Sequence, residues 1–213
     1  MEIVLDVYKR PYDPERPVVC MDESPKQLIA EAKSPIPAAP GPQAKYDYEY
    51  MRCGTCNVFL ACEPLAGRRF VDILETKTKR DWACFLETIA DEYKNAQLIT
   101  LVMDNLNTHG LGALYETYPP VKAKALWDRF EFVYTPKHGS WLNMAEIELN
   151  ILTGQCLNRW IGNVSDVKKE VLAEQKARNT NKAKVNWQFT TKDARVKLKR
   201  LYPPLDILHE TSD

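Results

Sequence analysis

Two rhythms of apolar and polar positions run along the chain. Short β-rich apolar runs come first: Val18-Val19-Cys20-Met21 ending on Asp22, then Thr55 to Cys62, then Arg69 to Leu74. Runs of this length, bounded by turn formers, predict strands. The second and third are separated by Glu63-Pro64-Leu65-Ala66-Gly67-Arg68. Strands joined by so short a turn pair antiparallel, and with the first they make a three-stranded meander. Gln27 to Ala32 continues in extended form. From Thr78 the period changes. Trp82, Phe85, Leu86, Ile89, Ala90 and Tyr93 recur at helical steps, which marks an amphipathic helix. Leu98 to Met103 is a further strand ending on Asp104, and a second helix spans roughly Gly112 to Asp128. Phe130 to Tyr134 is a strand stopped by Thr135-Pro136. A third helix runs from Trp141 to Trp160, with Leu142, Ala145, Leu149, Leu152 and Cys156 on its core face. A polar helix at about 165–178 and a basic one at about 190–200 follow.

The order β-β-β-α-β-α-β-α predicts an α/β fold. Its mixed sheet has three antiparallel strands and then helix-linked parallel ones, with helices on both faces. The ribonuclease H-like arrangement has this order. Ahead of it, residues 1–16 are charged and carry Pro11 and Pro14, with Pro17 next, which predicts an extended arm. Ser34 to Pro42 holds four prolines and a glycine and reads as a surface loop.

Composition changes this picture little. The 213 residues carry a net charge of zero, which argues neither for nor against a nucleic-acid partner. The distribution says more: from Lys168 to Arg200 there are eleven Lys and Arg against three acids. A basic segment beside an acidic site suits a polyanionic substrate, and equally a solvated helical surface. Cys53 and Cys56 form a CxxC, but a structural zinc would need two further ligands. Cys20, Cys62, Cys84 and Cys156 lie in apolar runs and read as small core residues. The longest apolar runs are about six residues, far from the ~20 of a membrane-spanning helix. Met1 to Asp6 carries acids where a signal peptide requires positive charge. The expectation is a soluble, cytoplasmic protein with no membrane partner.

Three acids stand out as candidate chemistry. Asp22 and Asp104 each end an apolar strand, and strand tips of open α/β sheets are where ligands sit. Asn105, Asn107 and His109 follow Asp104 at once. Lys137-His138-Gly139-Ser140-Trp141-Leu142-Asn143-Met144-Ala145-Glu146 leads into the third helix. Carboxylates gathered from two strand tips and a helix suit hard divalent cations, and paired cations suit phosphodiester chemistry. The plainer readings are an aspartate acting as turn former or helix cap, surface histidines at 109 and 138, and a Trp141 that packs. Glu146 has a rival in Glu148, about 200° around the helix, and spacing does not choose between them.

VVCMDE, DYEYMRCGTCNVFLACEPLAGRR, LVMDNLNTH and YTPKHGSWLNMAEIELNIL, with PAAPG and a late FTTKDARVKLKRLYP, resemble bacterial insertion-sequence transposases of the mariner superfamily. The likeness is to their DDE superfamily endonuclease domain, in the insertion-sequence group numbered six-thirty, and it covers about residues 6 to 203. It implies a ribonuclease H-like catalytic domain at 17–162, preceded by a linker arm at 1–16. A helical, basic extension of the same domain follows at 163–213. It implies two Mg²⁺ ions, with Mn²⁺ as a substitute, and cut-and-paste strand transfer of DNA. Asp22, Asp104 and Glu146 match the family's three acids as catalytic residues and metal ligands, which selects Glu146 over Glu148. Asn105, Asn107, His109, His138, Trp141 and Asn143 become residues that support the acids or position substrate. The Asp-Glu-Ser after the first strand lacks a basic residue expected there.

The resemblance also implies DNA partners, namely element ends and target, a homodimer on DNA, and a bacterial, nucleoid-associated setting. Family members carry a helix-turn-helix region ahead of the first acid, and none can be placed before Asp22 here. The expectation is a truncated copy, a fragment, or one half of a split reading frame with a separately encoded helix-turn-helix half. Two alternatives accompany the transposase reading. One is a nuclease of the same fold that never joins ends. The other is an idle remnant that binds DNA or a partner chain.

Overall fold

The structure, a computed structural model, describes residues 1–33, 40, 48–106 and 109–202. The proline-rich loop at 34–42, residue 40 aside, and Asn107 lie outside the described residues. Five strands form one sheet: β1 (Val18–Glu31), β2 (Tyr50–Glu63), β3 (Arg68–Leu74), β4 (Ile99–Met103) and β5 (Phe130–Tyr134). Their order is β3-β2-β1-β4-β5. The first three pair antiparallel, and β1–β4 and β4–β5 pair parallel. This is the expected ribonuclease H-like mixed sheet.

The central strands are longer than the apolar runs that announce them. β1 continues through Ser24-Pro25, opposite Val58 and Asn57 of β2, and shifts register between Gln27 and Ile29. Pairing with β4 covers only Val18, Val19 and Cys20. Beyond that point one side of β1 is an edge, where a proline's missing N–H costs no ladder bond.

The seven α-helices among the described residues divide between the two faces. Alternation along β1 and β4 sets the division. Val19, Met21, Leu101 and Met103 pack with α2 (Lys79–Glu92), α3 (Leu111–Thr117) and α4 (Pro120–Trp127). Cys20 and Val102 pack with α1 (Glu2–Tyr8), α5 (Met144–Leu152), α6 (Val164–Thr180) and α7 (Thr191–Lys197). Among the described residues no helix is long and apolar enough to cross a membrane.

Four sequence expectations need correction. The arm before β1 is not extended throughout. Val4, Leu5 and Val7 are buried on α1, and this apolar stripe outweighs the prolines that begin only at Pro11. The helix expected over 112–128 is two, because Tyr118-Pro119-Pro120 cannot continue a helix and Pro120 starts a new one. The helix expected from Trp141 begins at Met144. Ser140–Leu142 is a 3-10 turn, Asn143 caps α5, and Thr153–Leu157 continues it as a π segment. Cys84 is exposed and Cys156 half-buried, since α2 turns Ala83 and Phe85 inward and Cys84 out.

Thr78 starts α2 with a capping box: its side chain accepts from Asp81 N, and the Asp81 carboxylate accepts from Thr78 N at 2.7 Å. Thr78→Ala should destabilise the protein by about 1 kcal/mol, read as a lower urea midpoint at unchanged slope.

On the far side of the sheet, α6 covers the edge strand β3. Arg69 N donates to Asn179 Oδ1 and Asn179 Nδ2 to Arg69 O, both at 2.8 Å, and Val71 N donates to Gln175 Oε1 at 2.7 Å. These side chains satisfy backbone groups that an open edge would leave free.

Candidate active site

The parallel register of β1 and β4 builds the site. Val18, Val19 and Cys20 lie opposite Thr100, Leu101 and Val102. Continuing that register sets Asp22 beside Asp104. Two residues on from Cys20, Asp22 falls on the sheet face covered by α5, and Glu146 lies in the first turn of α5. All three acids are partly exposed. Burial pushes the Asp22 carboxyl up to about 7; the Glu23 N–H opposes that shift, and the charges of Asp104, Glu23 and Glu146 add to it. Asp22 therefore feels the charges of the other two acids.

Asn143 joins the strand to the helix. Its Nδ2 donates to Met21 O at 2.8 Å and reaches Asp22 Oδ2 at 3.4 Å, while its Oδ1 accepts from Ala145 N at 3.1 Å. One buried amide thus caps α5 and ties it to the tip that carries Asp22. Asp22 Oδ1 accepts from Glu23 N at 2.8 Å.

His109 is buried and holds Asp104 from the other side. Its Nδ1 lies 2.8 Å from Asp104 Oδ1, and its Nε2 lies 3.4 Å from Glu23 Oε2, an ion-pair contact without hydrogen-bond alignment. Its ring stacks on Trp82, centroids 5.4 Å apart. Burial works against a charge on His109, but the neighbouring carboxylates of Asp104 and Glu23 outweigh it and hold the imidazole up at about 9. These carboxylates favour the imidazolium form at neutral pH.

Glu148 is not available to this site. It is buried in an ion network, accepting from Arg69 Nη1 at 3.0 Å and Arg178 Nε at 2.6 Å, and Arg69 also pairs with Glu174. Spacing leaves the two glutamates equivalent; burial separates them.

The remaining sequence candidates stand further out. Asn105 is exposed next to Asp104. His138 is exposed in the turn after β5 with a left-handed backbone, φ 61°. Trp141 is 43% exposed and packs against Trp187 and Phe189. Sequence reasoning assigns no role to Glu23, Trp82 or Tyr8. Glu23 stands inside the quoted VVCMDE block, so its neighbour's importance was a usable signal.

Carboxylate oxygens are the donors a hard divalent cation takes, and here a backbone N–H and an amide orient Asp22 while His109 holds Asp104. Among the described residues, no three His, Cys, Asp or Glu side chains converge closely enough to hold an ion as they stand. Asp104 is turned to His109, so cation binding requires that carboxylate to swing or share.

Sheet order, helix placement and strand-tip acids put the protein in the ribonuclease H-like class. The chain belongs to the DDE superfamily endonuclease family, whose model matches residues 17–168. No curated protein matches it. Solved structures share the fold. The Mos1 mariner paired-end complex with Mg is 17% identical, with a TM-score of 0.57 over 95% of this chain and 61% of that one. The complex with Mn is 18% identical, with a TM-score of 0.55 over 85% of this chain and 56% of that one. The Mos1 transposase paired-end complex with left transposon end gives 17% identity and a TM-score of 0.57, covering 85% and 56%. The chain thus spans 56–61% of the length of these structures.

Proposed function

We propose that this is the catalytic domain of an insertion-sequence DNA transposase, cutting DNA at element ends and joining the freed 3′ ends to a target. The observation that carries the reading is the β1–β4 register with Asn143 across it. Together they bring Asp22, Asp104 and the helix bearing Glu146 to one place. Two divalent cations, Mg²⁺ or Mn²⁺, held by these acids would supply Lewis-acid polarisation and a nucleophilic oxygen at neutral pH. The protein's own part is positional. Asn143 and the Glu23 N–H orient Asp22, His109 orients Asp104, and the capped α5 presents Glu146. The basic residues of the 168–200 segment suit DNA phosphates, which position a duplex without reading its sequence. The similar Mos1 structures are paired-end complexes, one of them with a left transposon end, which supports transposon ends as the substrate and a paired assembly as the working form.

A second reading, a fragment that binds but does not turn over, is favoured by the His109–Asp104 contact, which takes one acid away from the others. Cleavage of duplex DNA carrying the element's ends, with Mn²⁺ and without, separates the two. Release of cut strands without joined product would instead mark a nuclease.

Cation binding has its own readout. Mn²⁺ should raise the melting temperature, by the equivalent of about 2.7 kcal/mol at a hundredfold excess over Kd, and Asp22→Asn should lose that rise. Without cation, the same variant should melt above wild type at pH 8. Asp22 ionises at about 7 when folded against an ordinary 3.8. Between those values the folded state keeps a proton that the unfolded chain has lost, so stability falls as pH rises through this window. Asn carries no such cost. A variant that melts below wild type in cation-free buffer at pH 8 would contradict this.

A further inference from the structure

Tyr8 closes α1, far in sequence from every acid, yet its hydroxyl sits where two of them are delivered. It donates to Leu142 O at 2.7 Å, lies 3.4 Å from Met144 N as acceptor, and stands 3.6 Å from Cys20 Sγ. Leu142 and Met144 flank Asn143, and Met144 is the first residue of α5, two before Glu146. Cys20 is two residues before Asp22 on the same strand face. The first amides of a helix lack intrahelical partners. In α5, Ala145 N is taken by Asn143 and Met144 N by Tyr8. The phenol ring packs on Trp187, centroids 5.2 Å apart, and the buried Val4, Leu5 and Val7 fix α1 to the core.

We propose that Tyr8 is a positioning residue of the acidic site: its hydroxyl sets the separation between the β1 tip carrying Asp22 and the α5 start carrying Glu146. The inference rests on the reading of those acids as cation ligands. On it, the end of α1 at Tyr8 supports the active centre. Asn143 makes the direct link between strand and helix. Tyr8 braces the same junction from behind, so the two act in parallel and loss of one leaves a looser site.

The test compares Tyr8→Phe, which keeps the ring on Trp187 and removes only the hydroxyl, with Val4→Ala, which loosens the core packing of α1 and keeps the hydroxyl. Mn²⁺ affinity is read from the electron paramagnetic resonance signal of the free ion, and amide hydrogen exchange is read at Met144 to Glu146. Tyr8→Phe should weaken Mn²⁺ binding about tenfold, the lower end of what losing support behind a ligand costs. It should speed exchange at those amides and leave α6 unchanged. Val4→Ala should lower the melting temperature at least as far with Mn²⁺ affinity intact. The proposal is overturned if Tyr8→Phe binds Mn²⁺ within about twofold of wild type, or if Val4→Ala weakens binding equally, since general loosening would then explain both. If wild type binds no Mn²⁺, the cation reading itself fails. Exchange then decides alone: unchanged amides at Met144 to Glu146 remove Tyr8's role.

Discussion

Asp104→Asn should reduce cation-dependent DNA cleavage by roughly a hundred- to a thousandfold or more, the scale on which a single preorganised electrostatic group acts at a reacting phosphate. The protein should remain folded. Asn is isosteric, the side chain at 104 is 32% exposed, and Glu23 remains beside the buried His109 ring. Only the negative charge is lost, from the middle of a set whose other two members cannot replace it. The assay is strand nicking of end-bearing duplex at saturating Mn²⁺, with circular dichroism to confirm the fold. Wild-type cleavage by a folded Asp104→Asn protein would remove Asp104 from the chemistry and with it the proposed site.

Arg69→Met should cost about 3–5 kcal/mol of stability, the range for removing one partner of a buried ion pair. For a chain of this size that is a fall of roughly 6–20 °C in melting temperature. Arg69 is 1% exposed and faces Glu148 and Glu174, whose side chains are 4% and 10% exposed. Met fills similar volume but leaves Glu174 without its guanidinium and Glu148 with Arg178 alone. Adding Glu174→Gln should recover part of the loss, because a neutral amide tolerates burial better than an unpaired carboxylate. The contrast with Glu146 is the sharper expectation. Glu146→Gln, partly exposed on the same helix, should shift stability by no more than about 0.5 kcal/mol while removing cleavage. Thermal unfolding and nicking of the same two proteins check both halves. Equal stability losses at 69 and 146 would contradict the division of labour between the two glutamates.

Much of this arrangement is legible in the sequence because it is local. An apolar run closing on Asp22 or Asp104 reports a strand tip directly, and the strand and helix order around them fixes the sheet. The choice between Glu146 and Glu148 is not local. It is made by Arg69 and Arg178, 79 and 30 positions away in sequence from Glu148, and no spacing rule reaches that far. His109 is readable as a neighbour of Asp104, but its second partner, Glu23, and the Trp82 ring beneath it come from other elements. Tyr8 carries no signal at all: its partners lie 12, 134 and 136 positions away. The break at Pro119-Pro120 is different. Two adjacent prolines were a plain stop that the surrounding helical period masked.

The register shift between Gln27 and Ile29 divides β1 into two lengths of chain with different tolerance for insertion. From Val18 to Cys20 the strand is paired with β4, and from Cys20 through Asp22 with β2. One added residue there would carry the first acid to the opposite face, toward α2 and Trp82, because side chains alternate. Beyond Gln27 the ladder already absorbs an irregular step against β2, and an extra residue there would change the reach of the strand without moving the acid. Length variants of this protein should therefore survive on one side of Gln27 and lose their chemistry on the other, even where both fold.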